Sequence, residues 1–382
     1  MNANIYLDNA ATTTARPEVI EVMVPLLAGG YNPSSAHAQG RAARAALDEA
    51  RAAVARVLHA APREIVFTGG GSEADVLAIV GAAKARAADG KHVITTVIEH
   101  HAVLHAFDVL EAEGWSVTRL PVTGDGVVDP AAVAGALRPD TTLVSVMLAN
   151  NEIGTLQPLA EIAALTHAAG ALLHTDAVAT AGYLDLDPAH LGVDLLTLSA
   201  HKFNGPKGVG VLFVRRGTPL VAQIVGGGQE HGLRSGTENL AGVVGLARAL
   251  ELAAAERTGT VARVTALRDR LAAGIAGAVP GTIELGAAAP RAPHILSVGF
   301  PHLPSDALLM ALDLEGVSAS AGSACAAGSL EPSHVVAALG IAPEYATGVL
   351  RFSLGRSTTE ADVDGAAAVV GRVVGRMQTA DV

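Results

Sequence analysis

Lysine is rare in this chain, and two of its four lysines lie in one short segment. The segment SAHKFNGPKG, residues 199–208, follows an apolar run and contains Lys202 and Lys207. A lysine where a strand ends, flanked by hydroxyl and imidazole donors, suits a Schiff base with an aldehyde cofactor that carries a phosphate. Most lysines are solvated surface charges, so the spacing alone also allows Lys202 to be a loop lysine.

An acidic residue and a glycine-rich turn follow two other apolar runs. Asp176 ends the run LLHTD, residues 172–176, and ligands of α/β proteins bind beyond the carboxyl ends of such strands. Its carboxylate could keep a pyridinium nitrogen protonated, although a helix N-cap is the simpler explanation when Asp176 is considered alone. The turn GGGS, residues 69–72, precedes a helical stretch. Its backbone N–H groups and the Ser72 hydroxyl could bind an anion, but it has neither the P-loop lysine nor GxGxxG spacing.

Three further positions are candidates for catalysis or substrate binding. His100, in EHHA, could stack on a flat cofactor and transfer protons near neutral pH. Cys325 is the single cysteine and lies among glycine, alanine and serine, which favours an accessible loop. A thiol with an unperturbed pKa of about 8.5 needs a nearby base or cation to act as a nucleophile. Arg351, in RFSLGR, could bind a carboxylate through two parallel hydrogen bonds. A structural histidine, a buried cysteine and a surface ion pair are the alternatives.

The elements that must position these residues alternate between short strands and helices. Strands are predicted at 65–67, 92–96, 116–120, 141–147, 171–175, 195–199 and 209–214, and helices at 73–88 and 101–113. This alternation predicts an α/β fold with a largely parallel sheet that helices cover on both faces. A helical stretch over 240–275 precedes a second set, with strands at 294–300 and 349–353 and helices at 305–314, 333–339 and from 359.

Composition and charge limit the class of protein. The chain has 382 residues, room for about two domains. Its 26 basic and 37 acidic residues give a net charge of −11, which disfavours direct nucleic-acid binding. One cysteine excludes an internal disulfide framework and a multi-cysteine metal site, and we expect no metal. The first residues lack the basic start of a signal peptide, and no stretch reaches the ~18 apolar residues of a membrane helix, so we expect a cytoplasmic protein without membrane contact.

The order and spacing of the motifs resemble one family across nearly the whole chain. The matching stretches are YLDNAATT (6–13), NPSSAH (32–37), FTGGGSEADVLAI (67–79), EHHAVL (99–104), NNEIGTLQP (150–158), HTDA (174–177), SAHKFNGPKGVG (199–210), GGGQEHGLRSGTEN (226–239), SAGSACAAGSLEPSHVV (320–336) and RFSLGR (351–356). Together they resemble the pyridoxal-phosphate cysteine desulfurases of the NifS/IscS type, within the class V aminotransferases. The resemblance implies a fold-type I transferase with a large cofactor domain, residues 15–255. A smaller α/β domain, residues 1–14 and 256–382, would carry the cysteine loop.

The resemblance also implies roles around the cofactor, pyridoxal 5′-phosphate. Lys202 would form a Schiff base with it and later move the substrate Cα proton. Asp176 would pair with the pyridinium nitrogen, and His100 would stack on the ring and act as acid and base toward the thiol. Asn151 would lie near the cofactor phenolate and the substrate carboxylate. The phosphate would be held by Gly71, Ser72, Ser199 and His201, and by Thr237 from the partner subunit of a homodimer.

The implied reaction is the conversion of L-cysteine to L-alanine. Arg351 would bind the substrate carboxylate, and Cys325 would attack the substrate sulfur and keep it as a persulfide. The stretch after the cysteine is similar to the long-loop subgroup, which passes sulfur to a protein acceptor such as an iron–sulfur cluster assembly scaffold, a thiolation protein or a DNA-sulfur-modification protein. A selenocysteine lyase, another class V reaction and an inactive binding subunit of a sulfur-transfer complex are the alternatives.

One position departs from the family pattern. Three residues after Asp176 the family typically has a glutamine that donates a hydrogen bond to the cofactor phenolate, whereas this chain has Ala179. Loss of that donor is expected to change the absorption and pH dependence of the Schiff base, with Thr180 or a water molecule as candidate substitutes. Gly71–Ser72 stands where Ala–Thr is usual, and it keeps the hydroxyl.

Overall fold

The computed structural model describes residues 4–322 and 332–380. The strands are β1 Ile5–Tyr6, β2 Ile65–Thr68, β3 His92–Thr96, β4 Ser116–Leu120, β5 Thr141–Ser145, β6 Leu172–Asp176, β7 Leu195–Ser199, β8 Gly210–Val214, β9 Ile283–Glu284, β10 Ile295–Gly299, β11 Val317–Ser318 and β12 Val349–Ser353. The helices are α1 Pro17–Gly29, α2 Ala38–Val57, α3 Gly71–Ala85, α4 His101–Ala112, α5 Pro130–Ala136, α6 Leu159–Ala168, α7 Pro188–Leu191, α8 Leu240–Ala278, α9 Ser305–Leu314, α10 His334–Leu339, α11 Pro343–Ala346 and α12 Glu360–Ala380. None of the helices in those residues combines the length and apolarity that crossing a membrane requires.

The large sheet confirms the predicted α/β fold with a mainly parallel sheet. Its seven strands lie in the order β2-β8-β7-β6-β5-β3-β4. The strands from β7 to β4 are parallel neighbours, whereas β8 runs antiparallel to both β7 and β2. Because parallel strands end at the same edge of a sheet, the ends of β6 and β7 place Asp176 and Ser199 on one edge.

Helices cover both faces of this sheet, which explains why its inner strands are almost entirely buried. In β3, Val93 packs in a cluster with α3 and α4, whereas Ile94 packs in a second cluster with α2, α6 and the first half of α8. Leu143 and Val144 of β5 divide between the two clusters in the same way. Adjacent residues of a strand point to opposite faces, so a sheet covered on both sides needs apolar residues at both.

A second core lies in the C-terminal part of the chain. β10 pairs antiparallel with β12 and β9, and residues of α8, α9 and α12 form one apolar cluster with this small sheet. The 39-residue α8 contributes to both cores, with Leu246 in the core of the large sheet and Leu271 in the second core. The domain division that we predict near residue 255 falls between these two parts of α8 and stays a prediction.

The N-terminal segment crosses from the second core to the large sheet. β1 pairs with β11 in parallel, and Leu7 is fully buried in the second core. Further along, the backbone N–H and the hydroxyl of Thr13 both donate to the carbonyl oxygen of His201, at 2.9 and 2.8 Å. This segment therefore fixes the turn after β7 that carries Lys202.

Candidate active site

Most of the site residues predicted from the sequence line one cavity of about 300 Å³ at the carboxyl ends of β6 and β7. They are Gly71, Ser72, His100, Asn151, Asp176, Ser199, His201, Lys202 and Arg351. Thr237 is not among the lining residues and is exposed on the loop before α8. Cys325 lies outside the described residues. The cavity volume is at the lower end of the range for cofactor and small-molecule sites.

Lys202 is a cavity lysine and not a solvated loop lysine. It ends the short 3-10 turn Ala200–Lys202 that follows β7. Its Nζ donates hydrogen bonds to the carbonyl oxygens of Ala10 at 2.5 Å and Ala11 at 3.0 Å. Burial lowers the pKa of Lys202 to about 8, and the Arg351 charge contributes to the shift. A larger fraction of this amine is therefore neutral, and nucleophilic, near neutral pH than of an exposed lysine.

Asp176 accepts a backbone hydrogen bond in the turn after β6 and also lines the cavity. Its Oδ1 accepts the backbone N–H of Val178 at 2.8 Å, as a capping aspartate does, yet the side chain is buried and lines the cavity. Burial raises the pKa of Asp176, while the nearby His100, the Val178 N–H and Lys202 lower it. A buried carboxylate with these partners can face a cationic ring nitrogen.

Backbone and hydroxyl donors surround the opposite end of the cavity. Gly71 and Ser72 are the first residues of α3, so the helix begins two residues earlier than predicted and its N-terminal N–H groups reach the cavity. A Cβ at position 71 would lie 3.1 Å from Val178 Cγ2 and 3.3 Å from Ser199 Cβ. Glycine therefore keeps the helix N-terminus close to Ser199, and helix N-termini favour phosphate groups.

His201 lies at the same end and is held by the N-terminal segment. Its Nδ1 is 3.1 Å from Thr12 Oγ1. Burial lowers the pKa of His201 to about 4, with Lys202 and Lys207 contributing. The imidazole is therefore neutral near pH 7. In the tautomer whose Nδ1 accepts from the Thr12 hydroxyl, Nε2 carries the ring proton and can donate to an anion.

His100 stands where α4 begins. Its Nδ1 accepts the backbone N–H of Ala102 at 3.1 Å, so the neutral ring has its proton on Nε2. Burial lowers the pKa of His100, and the Lys202 charge adds to this while Asp176 opposes it. The N-cap contact fixes the ring at the wall of the cavity as a neutral imidazole.

Arg351 extends from β12 into the same cavity. Its Nη1 donates to the carbonyl oxygen of Asn151 at 2.8 Å, and its Nη2 lies 2.9 Å from Asp8 Oδ1. The backbone of Arg351 exchanges two hydrogen bonds with Ser320, at 2.7 and 3.1 Å. Two parts of the chain thus fix the guanidinium, and a third fixes the Arg351 backbone next to the point where the segment toward Cys325 begins.

Sequence reasoning missed one ionisable side chain of this cavity. Asp75 of α3 is only 1% exposed and lines the cavity near Asp176 and His100. The available signal was an acidic residue between Ala74 and Val76, directly before the apolar part of α3. The candidate substitute Thr180 is wrong, because its hydroxyl donates to the carbonyl of Ala177 at 2.8 Å and it does not line the cavity.

Comparison with known proteins shows the family to which the chain belongs. The sequence pattern of the family Aminotransferase class-V matches residues 5–365. A protein of Dictyoglomus turgidum named Cysteine desulfurase IscS is 44% identical over 99% of this chain and 96% of its own. A protein of the same name from Methanosarcina thermophila is also 44% identical, over 99% of this chain and 93% of its own.

Solved structures show the same similarity. A structure described as a NifS-like protein superposes with a TM-score of 0.91 at 35% identity and covers 98% of this chain and 100% of that one. DndA from Streptomyces lividans superposes with a TM-score of 0.77 at 34% identity, over 89% of this chain and 97% of that one.

The fold and the cavity together define a fold-type I pyridoxal-phosphate enzyme. The chain belongs to the class V aminotransferase family, among its cysteine desulfurases of the NifS/IscS type. The predicted fold class, family and cofactor, pyridoxal 5′-phosphate, are confirmed.

The donors of the cavity fit this cofactor at each of its ends. Lys202 supplies an amine for the aldehyde, with a pKa that burial lowers to about 8. The carboxylate of Asp176 suits the ring nitrogen, and the backbone of Gly71 with the side chains of Ser199 and His201 suits the phosphate. The chain therefore keeps the charge complementarity that the cofactor needs.

Proposed function

We propose that this enzyme converts L-cysteine to L-alanine and leaves the sulfur atom as a persulfide on Cys325. The observation that carries the proposal is the position of the Lys202 amine in one cavity with the Asp176 carboxylate and the Arg351 guanidinium. A reactive amine, a partner for the ring nitrogen and a clamp for the substrate carboxylate are what chemistry at an amino-acid Cα requires.

The cofactor supplies an electron-accepting ring and a carbonyl carbon for an amine when it is bound. Lys202 would bind that carbon, and Asp176 would keep the ring nitrogen protonated. Gly71, Ser72, Ser199 and His201 would hold the phosphate. Once substrate has displaced it, the Lys202 amine would remove the proton from the substrate Cα and return it later, as a general base and acid.

Two cavity residues would orient the substrate. Arg351 presents a guanidinium that Asp8 and the Asn151 carbonyl already fix, so it can bind a carboxylate at little cost in side-chain entropy. Asn151 lines the cavity beside it. His100, which burial keeps neutral near pH 7 by lowering its pKa, would exchange a proton with a thiol.

Sulfur transfer is proposed for Cys325. Ser320 hydrogen-bonds Arg351 directly, and five residues of extended chain span at most about 18 Å. This distance along the chain allows Cys325 to reach the substrate. Its thiolate would attack the substrate sulfur, so that the S–S bond forms while the bond from sulfur to the substrate Cβ breaks. The electron pair of that bond passes to the carbon, which takes up a proton to give alanine.

A homodimer is supported by the surface around the Thr237 loop. Val225 is 81% exposed, and Val221 and Ile224 of the same segment are each more than 40% exposed. The exposed Val76 and Val109 line a surface cavity together with Gln223. Apolar residues clustered in this way are typical of subunit interfaces. We propose that Thr237 reaches the phosphate of the neighbouring subunit across this surface.

The acceptor of the sulfur is proposed to be a protein, in keeping with the net charge of −11. An iron–sulfur cluster scaffold is the candidate that the name IscS of the relatives favours. Pull-down with Cys325 loaded with sulfur would identify the acceptor.

The test of the reaction is product analysis. The purified enzyme with pyridoxal phosphate, L-cysteine and a reductant is expected to release alanine and sulfide in equal amounts. Without reductant, the peptide that contains Cys325 should gain the mass of one sulfur atom. The variant Cys325→Ala should keep the cofactor absorption and lose the persulfide. Full turnover by that variant would contradict the role of Cys325, and a keto acid in place of alanine would contradict the reaction.

A further inference from the structure

The cavity contains a second buried carboxyl group that the proposed reaction does not use. Asp75 of α3 is 1% exposed, and its Oδ1 has no hydrogen-bond partner among the described residues. One side-chain oxygen each from Asp75 and Asp176 and one ring nitrogen of His100 lie within 4.8 Å of one another. Buried polar atoms are almost always hydrogen-bonded, so an unpartnered carboxyl oxygen in a ligand cavity needs a physical explanation.

No cation compensates Asp75 within the part of the chain described. A basic side chain in contact with Asp75 is His174, whose Nε2 is 3.6 Å from Asp75 Oδ1. The ring nitrogens of His174 already contact Ser145 Oγ at 2.8 Å and Thr197 Oγ1 at 3.1 Å. Burial lowers the pKa of His174 to about 3, so that ring is neutral near pH 7. His174 therefore cannot balance a negative charge on Asp75.

The other groups that face the pair set which of the two aspartates is ionised. Asp176 accepts the Val178 N–H at 2.8 Å and faces Lys202 and His100, which lower its pKa. Asp75 has less stabilisation: burial raises its pKa well above the usual range and the charge of Asp176 raises it further, against which only the Thr197 hydroxyl lowers it. Glu99, a third buried acid, adds to the same effect. Two buried carboxyl groups this close oppose each other's ionisation, so we expect the pair to keep one proton.

We propose that Asp75 is a protonated carboxylic acid that donates its proton in a hydrogen bond to Asp176, and that it thereby positions the Asp176 carboxylate for the ring nitrogen of the cofactor. The proposal rests on the proposed function of Asp176 as partner of that nitrogen. Asp75 acts through Asp176 and is therefore a positioning residue. A donor to Asp176 makes its carboxylate less basic, so the shared proton stays on the ring nitrogen and the ring stays a strong electron acceptor.

The first experiment observes the proton on Asp75 without cofactor or activity. Infrared spectra of the apoprotein near pH 7 are compared between the wild type and Asp75→Asn, which keeps the shape and a neutral donor. We expect the difference spectrum to contain the carbonyl stretch of a protonated carboxylic acid. A pair of carboxylate bands would overturn the proposal. Asp89→Asn, at a carboxylate that is 58% exposed, is the matched control and should give carboxylate bands.

The second experiment observes the ring nitrogen. Cofactor labelled with nitrogen-15 in the ring is bound to each variant, and its chemical shift reports whether that nitrogen is protonated. The wild type and Asp75→Asn are expected to give the protonated shift, whereas Asp75→Val, which lacks a donor, is expected to move toward the unprotonated value. Identical shifts in Asp75→Asn and Asp75→Val would overturn the positioning role.

The two experiments separate failure of this inference from failure of the proposed function. If the wild type gave an unprotonated ring nitrogen, the role of Asp176 would fail, while the infrared comparison would still decide whether Asp75 is protonated. If Asp75→Val does not fold, the infrared comparison of the wild type with Asp75→Asn decides alone.

Discussion

The two ends of the cofactor cavity are built in different ways. At the acid end, Asp75, Asp176 and His174 are all less than 10% exposed, and burial moves the pKa of each in the direction of its neutral form. At the phosphate end, Ser72 and Lys207 are exposed, and the donors are a helix N-terminus and short side chains. The enclosed end sets protonation states, and the open end provides anchoring that a second subunit can complete.

This difference predicts that changes at the acid end affect catalysis more than cofactor binding. Replacing Asp176 by Asn should lower kcat by roughly 10²–10³-fold, the cost of removing one preorganised electrostatic partner, while the cofactor remains bound through the phosphate end. Turnover measured at saturating pyridoxal phosphate checks this. Asp185→Asn, at an exposed carboxylate, should leave kcat unchanged. Retention of most of the activity in Asp176→Asn would contradict the role of the acid end.

The reverse is expected at the phosphate end. Replacing His201 by Ala removes a neutral donor whose pKa burial lowers to about 4. A hydrogen bond to a charged group contributes about 1.5–3 kcal/mol, so the Kd for pyridoxal phosphate should rise about 10- to 100-fold. Titration of the apoprotein followed by absorbance measures the Kd, and kcat at saturation should fall far less. The control is His190→Ala, which replaces an exposed histidine and should leave the Kd unchanged. An unchanged Kd together with a large loss of kcat would show that the phosphate end affects catalysis and not cofactor binding, contrary to this prediction.

Between the two ends, the lowered pKa of Lys202, about 8, predicts how cofactor capture depends on pH. Only the neutral amine attacks an aldehyde, so the rate of capture should rise about tenfold per pH unit below pH 8 and level off above it. Stopped-flow absorbance at fixed cofactor concentration measures the rate. Lys91→Ala should give the same profile. A rate that continues to rise toward pH 10, as for an unperturbed lysine, would show that the cavity does not lower this pKa.

The smallest effect is expected at Ala179, which lines the cavity between the ends. Ala179→Gln introduces an amide donor toward the cofactor phenolate. One hydrogen bond of about 1 kcal/mol should move the pH midpoint of the visible absorption band to lower pH by about one unit or less. Ala179→Leu adds volume without a donor and should not move the midpoint. Equal shifts in the two variants would show that volume, and not a hydrogen bond, matters at this position.

Much of the fold could be predicted because short apolar runs with clear turn residues define buried strands. The strands at 92–96, 116–120, 195–199 and 349–353 have the predicted bounds. Helix α6, residues 159–168, was not predicted from the sequence, and the antiparallel direction of β8 was not foreseen because strand direction depends on pairing with β7 and β2. Local patterns identify elements, and tertiary pairing decides their direction.

The sequence predicts the candidate site less completely than it predicts the fold. Lys202 and Asp176 were found because they lie at or just after the end of an apolar run, and Arg351 because it interrupts one. The structure places all three in one cavity. Asp75 was missed because a single acid in a helix is usually a solvated residue, and only the packing of α3 on the sheet buries it. The roles of Thr237 and Cys325 stay predictions, since one depends on a second subunit and the other lies outside the described residues.

The most direct test is to find which lysine binds the cofactor. The enzyme is saturated with pyridoxal phosphate, reduced with borohydride to make the carbon–nitrogen bond permanent, digested and analysed by mass spectrometry. With only four lysines in the chain, the assignment is unambiguous. We expect the pyridoxyl group on Lys202 and none on the Lys202→Ala variant. A pyridoxyl group on Lys84, Lys91 or Lys207, or on no lysine, would contradict the assignment of the active site.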